Sequence, residues 1–361
     1  MNRREMLAGG MALSIGAGLA APARSAAPTA PRTAPGPTAA QAAWTNLRYG
    51  MFLHFGPNTL KTQAGGWGDG TFPARDVVFP RFDPDQWASV ARDAGMRYAV
   101  LTAKHHDGFC NWNSDATAYC MRSSPMKVDI VEKTASAFRK AGLRFGIYYS
   151  LWDRNCPFYE DDARYADYMV RQVTELLTRY GDMVEIWFDG GWDKDNPSRD
   201  WENRPEWQSD PAWRANLGKR WRWRELYAHI HALQPDCLVI QNSSSDLPGQ
   251  IKYGPVDVRT AEHFDFVWRE EIKVPRRDPV FEIEGKSVYL PIEYCTTLNQ
   301  DWFDNGSAGQ PHPSAATIAD WYQRAVADGG NLLLNVGPNR LGLISEVHRS
   351  YLVEARRRLK I

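Results

Sequence analysis

Six apolar runs along this 361-residue chain carry, or lead into, side chains able to bind or transform a polar substrate. The run Tyr49–Phe55 contains His54, and Tyr98–Ala103 leads into Lys104, His105, His106 and Asp107. Arg144–Tyr149 closes on Tyr148, Tyr149 and Ser150, while Val184–Phe188 carries Trp187 and is followed by Asp189 and Gly190. Ser287–Tyr294 contains Glu293, and Asn331–Val336 contains Asn335. One polar ending is an ordinary surface residue; six of them point to a single site. Two chemistries could use the set. Metal-assisted hydrolysis would take His54, His105 or His106, and Asp189 as ligands. Against it, the first run offers one histidine with no H-x-H, and no later run ends in His. Glycoside hydrolysis needs two carboxyl groups in a polar, aromatic pocket. Asp189 suits the nucleophile's part, because the aromatics before it exclude water and the glycines after it let a substrate approach closely.

Such a set needs a scaffold that brings strand ends together. The apolar runs alternate with helical patterns, among them Trp87–Ala94, Ile130–Ala141, Tyr165–Tyr180 and Glu225–Leu233. The first three stop at Gly95, Gly142 and Gly181, and the fourth stops before Pro235, as helices commonly do. With Cys237–Gln241 there are seven clear strands, and Val256–Thr260 is a weak eighth. Strand-then-helix units at this count predict a (β/α)8 barrel, in which the site lies at the C-terminal ends of the strands. A doubly wound sheet is the alternative, but no G-x-G-x-x-G follows the first strand and no phosphate-binding loop is present. Residues 193–222 break the rhythm, with Trp201, Trp207, Trp213 and Trp221 among Pro, Asp, Asn and Arg. A stretch that long after a strand reads as a rim of the site.

Charge narrows the partners. Lys and Arg total 43 and so do Asp and Glu, so the chain has no positive field to reward a nucleic acid or an anionic membrane. The unusual feature is 15 Trp beside 15 Tyr and 14 Phe, which suits a large aromatic core or a cleft of flat apolar faces for sugar rings. The start is not part of the fold. Arg3-Arg4, an Ala/Gly/Leu-rich stretch and small residues up to Ala27 read as a bacterial twin-arginine signal peptide over residues 1–27, too short and weakly apolar to span a bilayer. The expected location is therefore periplasmic or secreted. Residues 28–40, rich in Pro, Ala and Thr, read as a disordered tether, leaving residues 41–361 for one catalytic barrel. The five cysteines show no zinc spacing; Cys110 with Cys120 is the nearest candidate bridge, and Cys237 and Cys295 lie in apolar runs.

The motifs themselves carry a likeness. Tyr49-Gly-Met-Phe-Leu-His54-Phe-Gly, Phe82-Asp-Pro-Asp-Gln-Trp87 and Leu101-Thr-Ala-Lys-His105-His106-Asp-Gly-Phe109 occur in order along the chain. Gly142-Leu-Arg-Phe-Gly-Ile-Tyr148-Tyr-Ser150, Ile186-Trp187-Phe-Asp189-Gly190 and Gly329-Gly-Asn-Leu-Leu-Leu-Asn-Val-Gly-Pro338 follow them. Together they resemble the α-L-fucosidases of glycoside hydrolase family 29 over residues from about 45 to 345. The resemblance implies a TIM-like barrel and a retaining, exo-acting reaction on fucosylated glycans through a covalent glycosyl-enzyme, with no metal or organic cofactor. It implies Asp189 as nucleophile and His54, His105, His106, Tyr148, Trp187 and the stacking Trp67 as sugar-binding residues. The acid/base lies on a variable loop in that family. Val256-Asp257-Val258-Arg259-Thr260-Ala261-Glu262 is the nearest match, which selects Glu262, with Glu293 as runner-up and more readily a positioning carboxylate.

Three departures from the family pattern bear on substrate choice. Gly65-Gly66-Trp67-Gly68-Asp69 keeps the tryptophan and lacks a sugar-binding glutamate, for which Asp69 is the candidate substitute. Asn242-Ser-Ser244 lacks an arginine after the fifth strand, and no room remains for a C-terminal β-sandwich. Two other readings stay open: a metal-dependent hydrolase on the same barrel, and a carbohydrate-binding protein without catalysis. On the fucosidase reading Trp67, Trp112 and Trp187 contact sugar, the tryptophans of 193–222 form an aglycone rim, and Trp87 packs. A neutral sugar needs no electrostatic steering, which fits the zero net charge.

Overall fold

The computed structural model describes residues 35–61, 67–191, 218–242, 249–263, 277–283, 285–299, 301–304 and 313–361. The expected signal peptide and most of the expected tether lie outside them. The tether's last residues do not: Thr38 caps helix α1 (Ala39–Thr45) in a reciprocal box with Gln41.

Eight parallel strands form one sheet. They are β1 (Tyr49–Leu53), β2 (Tyr98–Lys104), β3 (Arg144–Ser150), β4 (Glu185–Asp189), β5 (Leu238–Gln241), β6 (Arg259–Glu262), β9 (Ile292–Thr297) and β10 (Asn331–Asn335). Their order, β5-β4-β3-β2-β1-β10-β9-β6, leaves β5 and β6 as the two ends. A parallel bridge between Ile240 and Val258 joins those ends. Asp257 reinforces the seam: its N–H donates to the Val239 carbonyl at 2.8 Å, and its Oδ2 accepts from the Val239 N–H at 2.7 Å. The expected (β/α)8 barrel is the fold.

One expected strand is two. Ser287–Tyr294 divides into β8 (Lys286–Tyr289), which pairs antiparallel with β7 (Val280–Ile283), and β9 in the barrel. Pro291 lies between them; it has no N–H to donate, so the ladder cannot run through it. The weak eighth strand also shifts, from 256–260 to Arg259–Glu262, which puts Glu262 at a strand's C-terminal end.

Buried on both faces, the strands alternate between two cores. Phe52, Tyr98, Val100, Tyr148, Trp187, Ile240, Val258, Cys295 and Leu333 fill the barrel interior together with Trp44 of α1. Met51, Leu53, Ile147, Tyr149, Ile186, Phe188 and Leu334 face the surrounding helices. That two-residue period makes each strand a ladder from floor to mouth. Helices Pro84–Asp93, Ile130–Lys140, Asp162–Arg179, Ala315–Ala327 and Glu346–Leu359 each start at an Asp or Ser side chain that accepts a backbone N–H. Among the described residues no helix is long and apolar enough to cross a membrane.

Candidate active site

Strand β4 sets three inward rungs two residues apart: Glu185 at the floor, Trp187 on the wall and Asp189 at the mouth. Asp189 is the most polar-coordinated of the three. Its Oδ2 accepts the Tyr148 hydroxyl at 2.8 Å, and its Oδ1 accepts Asn242 Nδ2 at 3.1 Å. The same Asn242 nitrogen donates to Glu262 Oε2 at 2.7 Å. Thr260 Oγ1 donates to Asn242 Oδ1 at 3.1 Å, which fixes the amide so that its NH2 faces both carboxylates. One nitrogen reaching both oxygens limits their separation to the two distances laid end to end, about 5.8 Å. That limit on the two bridged oxygens is compatible with the roughly 5–5.5 Å of a retaining carboxyl pair.

Three histidines stand on the opposite side. His54, just past β1, turns Nδ1 to Asn335 Oδ1 at 2.9 Å; the Asn335 amide donates to Thr297 Oγ1 and the Trp302 carbonyl, so its oxygen must accept. His54 therefore holds its proton on Nδ1 and offers Nε2 as an acceptor. His106 is oriented the same way. Its Nδ1 meets Ser150 Oγ at 2.7 Å, whose own proton goes to the Trp152 carbonyl, so Nδ1 donates and Nε2 lies 3.5 Å from Asp189 Oδ2. His105 stacks on Tyr148 at 5.5 Å and 14°, and its Nδ1 is buried without a hydrogen-bond partner. Burial pushes all three rings toward the neutral form: His54 falls to about 4, His106 to about 3, and His105 well below its usual value. Neutral imidazoles can accept protons from sugar hydroxyls at any physiological pH.

The Glu262 carboxyl moves the other way. Burial raises it and the Asp189 charge adds to the rise, while His263, the Asn242 amide and Lys252 pull it down. The walls are aromatic. Trp187 stacks on Tyr148 at 5.6 Å and 20°, Phe52 meets Trp187 edge-on at 5.3 Å, and Trp302 lies 4.9 Å from His54. Trp67, 37% exposed, stands edge-on to His106 at 5.7 Å and to Trp152 at 6.1 Å.

The structure thus brings Asp189, Glu262, His54, His105, His106, Tyr148, Trp187 and Trp67 together. It does not bring Glu293 to the mouth. That residue is fully buried at the floor, where Tyr98 and Trp187 occupy its two oxygens. Asp69 is no substitute for a sugar-binding glutamate either, since Lys61 at 2.8 Å and Thr71 hold it at the exposed surface. Trp112 faces away from the pocket and donates to Glu175 at 2.8 Å, and Trp221 is wholly buried against Tyr159 and Tyr165. Trp201, Trp207, Trp213 and Ser244 lie outside the described residues. Cys110 and Cys120 share a backbone bridge but remain free thiols, as do the other three cysteines.

Residue types alone do not single out Asn242 and Trp302, while Ser150 stands among the expected strand endings. Asn242 has a signal, because it follows β5 where the mouth must be. Lys104 is explained by its surroundings. Burial disfavours its charge, but Asp153 at 3.1 Å and the Tyr149 hydroxyl at 3.0 Å hold it protonated behind the site.

A model of the alpha-L-fucosidase family matches residues 71–360. The chain belongs to the alpha-L-fucosidase family. It is similar to alpha-L-fucosidase 1 of Arabidopsis thaliana, 33% identical over 320 residues that make up 86% of this chain and 58% of the plant protein. Among solved structures it resembles a glycoside hydrolase 29 family member from a rumen bacterium, with a TM-score of 0.72 and 30% identity over 90% of this chain and 57% of that one. Alpha-L-fucosidase isoenzyme 1 of Paenibacillus thiaminolyticus is similar at a TM-score of 0.63 and 29% identity, covering 88% and 75%. The chain spans a little under three-fifths of the length of the plant relative it matches.

Proposed function

We propose that this family member is a retaining α-L-fucosidase that removes terminal α-L-fucosyl groups from glycans. The observation that carries the reading is the Asn242 amide bridging Asp189 and Glu262, which keeps two carboxyl groups close together at the mouth, as double displacement needs. In this mechanism Asp189, steered by the Tyr148 hydroxyl and the Asn242 amide, attacks the anomeric carbon. Glu262, kept protonated by burial and by the Asp189 charge, gives its proton to the departing oxygen. The fucosyl ester on Asp189 is then hydrolysed by water activated by the same, now ionised, Glu262. Neutral His54, His105 and His106 accept sugar hydroxyls, and the Phe52–Trp187 wall offers the apolar surface that a 6-deoxy sugar's methyl group needs.

The reading includes export, supported by the Arg3-Arg4 signal pattern ahead of the barrel. Turnover of 4-nitrophenyl α-L-fucopyranoside tests the reaction. Wild type should release nitrophenol and invert nothing at the anomeric centre, and Asp189→Ala should be inactive until azide supplies a nucleophile. Binding of fucose with no turnover by the wild type would remove the enzyme reading.

A further inference from the structure

Two carboxyl groups lie where no solvent or substrate reaches them. Glu185 and Glu293 are 0% exposed at the barrel floor, on the first rung of β4 and the second residue of β9. Both face inward, and each acts on the ionisation of the other. Glu293 accepts twice more, from the Tyr98 hydroxyl at 2.6 Å and from Trp187 Nε1 at 3.0 Å. Glu185 accepts once, from Trp44 Nε1 of α1, and its other oxygen, Oε1, has no donor. Two ionised carboxylates cannot satisfy that oxygen, because both are acceptors only. A proton on Glu185 can.

The floor is also shaped around these groups. A side chain on Gly50 would strike the Tyr98 ring, and one on Gly146 would strike Glu185 at its Cγ, so both inward positions on β1 and β3 are left bare. Among the described residues, the other titratable groups acting on the pair are Tyr98 of β2 and Cys237 ahead of β5, neither of them a cation. Neither of them neutralises a second negative charge.

We infer that Glu185 is held protonated beneath the site and donates to Glu293, which carries the one negative charge of the pair and anchors the indole of Trp187. The placement of the proton follows from the donor count. Glu293 already receives two donors that stabilise its charge, whereas Glu185 receives one. Trp187 in turn stacks on Tyr148, the donor to Asp189, so Glu185 and Glu293 are positioning residues for the wall of the pocket. Burial raises both carboxyls, so the shared proton is kept well past the usual carboxylate range and the arrangement should fail only on the alkaline side. Once the shared proton leaves, two buried anions repel and the indole loses its fixed seat.

Glu185→Gln tests this, because an amide nitrogen in place of Oε1–H donates to Glu293 permanently while its oxygen still accepts from Trp44. The effect on the sugar site rests on the fucosidase reading; the effect on stability does not. Above about pH 4.5 the folded pair keeps a proton that the unfolded chain has lost, so its contribution to stability falls as pH rises from there. Thermal melting should therefore show wild type losing ground to Glu185→Gln steadily from pH 5 to pH 9. A difference in melting temperature that does not change with pH would overturn the shared proton. With 4-nitrophenyl α-L-fucopyranoside, the wild-type KM should climb several-fold on the alkaline side and the variant's KM should stay flat, while kcat falls alike in both. An identical KM profile in the two proteins would overturn the positioning role. A wild type that turns over no fucoside would sink the fucosidase reading alone, with the melting comparison still deciding the proton.

Discussion

The barrel carries two carboxyl pairs at opposite ends of the same ladder, and they are built on opposite principles. At the mouth, Asp189 and Glu262 are separated by an amide that donates to both. At the floor, Glu185 and Glu293 are closed off from solvent and act on each other's charge, and the proposed arrangement gives them one proton to share. Trp187 stands between the pairs, with its ring toward the pocket and its N–H toward Glu293. A donor between two carboxyl groups lets each keep its own part in catalysis. A proton between them locks a shape.

The largest effect should come from removing the mouth pair's nucleophile. Asp189→Ala should lower kcat for the aryl fucoside on the order of 10⁴-fold or more, as loss of a nucleophile does. Azide should restore part of the rate and yield a glycosyl azide of inverted configuration. A variant with wild-type turnover would end the comparison, because the mouth would then have no special carboxylate. Glu262→Ala comes next. It should lose about 10²- to 10⁴-fold on a fucosylated sugar, whose departing alkoxide needs a proton, and far less on 4-nitrophenyl α-L-fucopyranoside, whose leaving group does not. Equal losses on both substrates would assign Glu262 a role other than acid.

Asn242→Ala sharpens the contrast by stripping the spacer from the mouth pair. Loss of a hydrogen bond to a charged partner predicts a fall in kcat/KM of about 10- to 100-fold. The amide lowers the Glu262 pKa, so removing it should raise that pKa further. Activity requires protonated Glu262 and is lost as pH rises through its pKa; the alkaline limb should therefore move to higher pH in the variant. A limb that stays in place or moves down would mean that Asn242 does not act on Glu262.

How much of this was legible depends on which end of the ladder is asked about. The mouth was readable because a strand's polar ending has no reason to follow an apolar run unless something lies beyond it. His54, His105, His106 and Asp189 all declared themselves that way. The floor was hidden by the same logic. Glu185 opens β4 and Glu293 sits inside a run of Ile, Tyr and Cys, so neither marks an ending; only the two-residue period linking Glu185 to Asp189 places it on the inner face. The bare positions Gly50 and Gly146 were a second signal, meaningful only once the register shows what fills the space. Pro291 is the sequence signal that divides Ser287–Tyr294 into two strands. Tryptophan counting could not separate Trp187 from Trp112, because each lies beside polar residues and only the face of the chain distinguishes them.

Trp67 tests the outer limit of the mouth. Its exposed ring makes edge contacts with His106 and Trp152 and has no part in holding either carboxyl pair. Trp67→Ala should raise KM about 3- to 10-fold and leave kcat in place, the signature of lost uniform binding. A fall in kcat of the same size would move Trp67 into the group that orients His106.

Trp112 should give the smallest effect on the reaction, and for a structural reason. Its indole is fully buried on the helix side of the barrel wall, and its N–H satisfies Glu175 Oε2. Glu175 Oε1 is already engaged by the Asp115 N–H, so the carboxylate is spoken for on both sides and has no role at the pocket. Trp112→Phe removes one donor from a mostly buried carboxylate, which predicts a loss of about 1–3 kcal/mol in stability. Melting should drop by several degrees while KM and kcat for the fucoside remain those of wild type. If KM rises instead, the sugar contact first expected of Trp112 is real and the wall does not separate the two aromatic layers as its alternation implies.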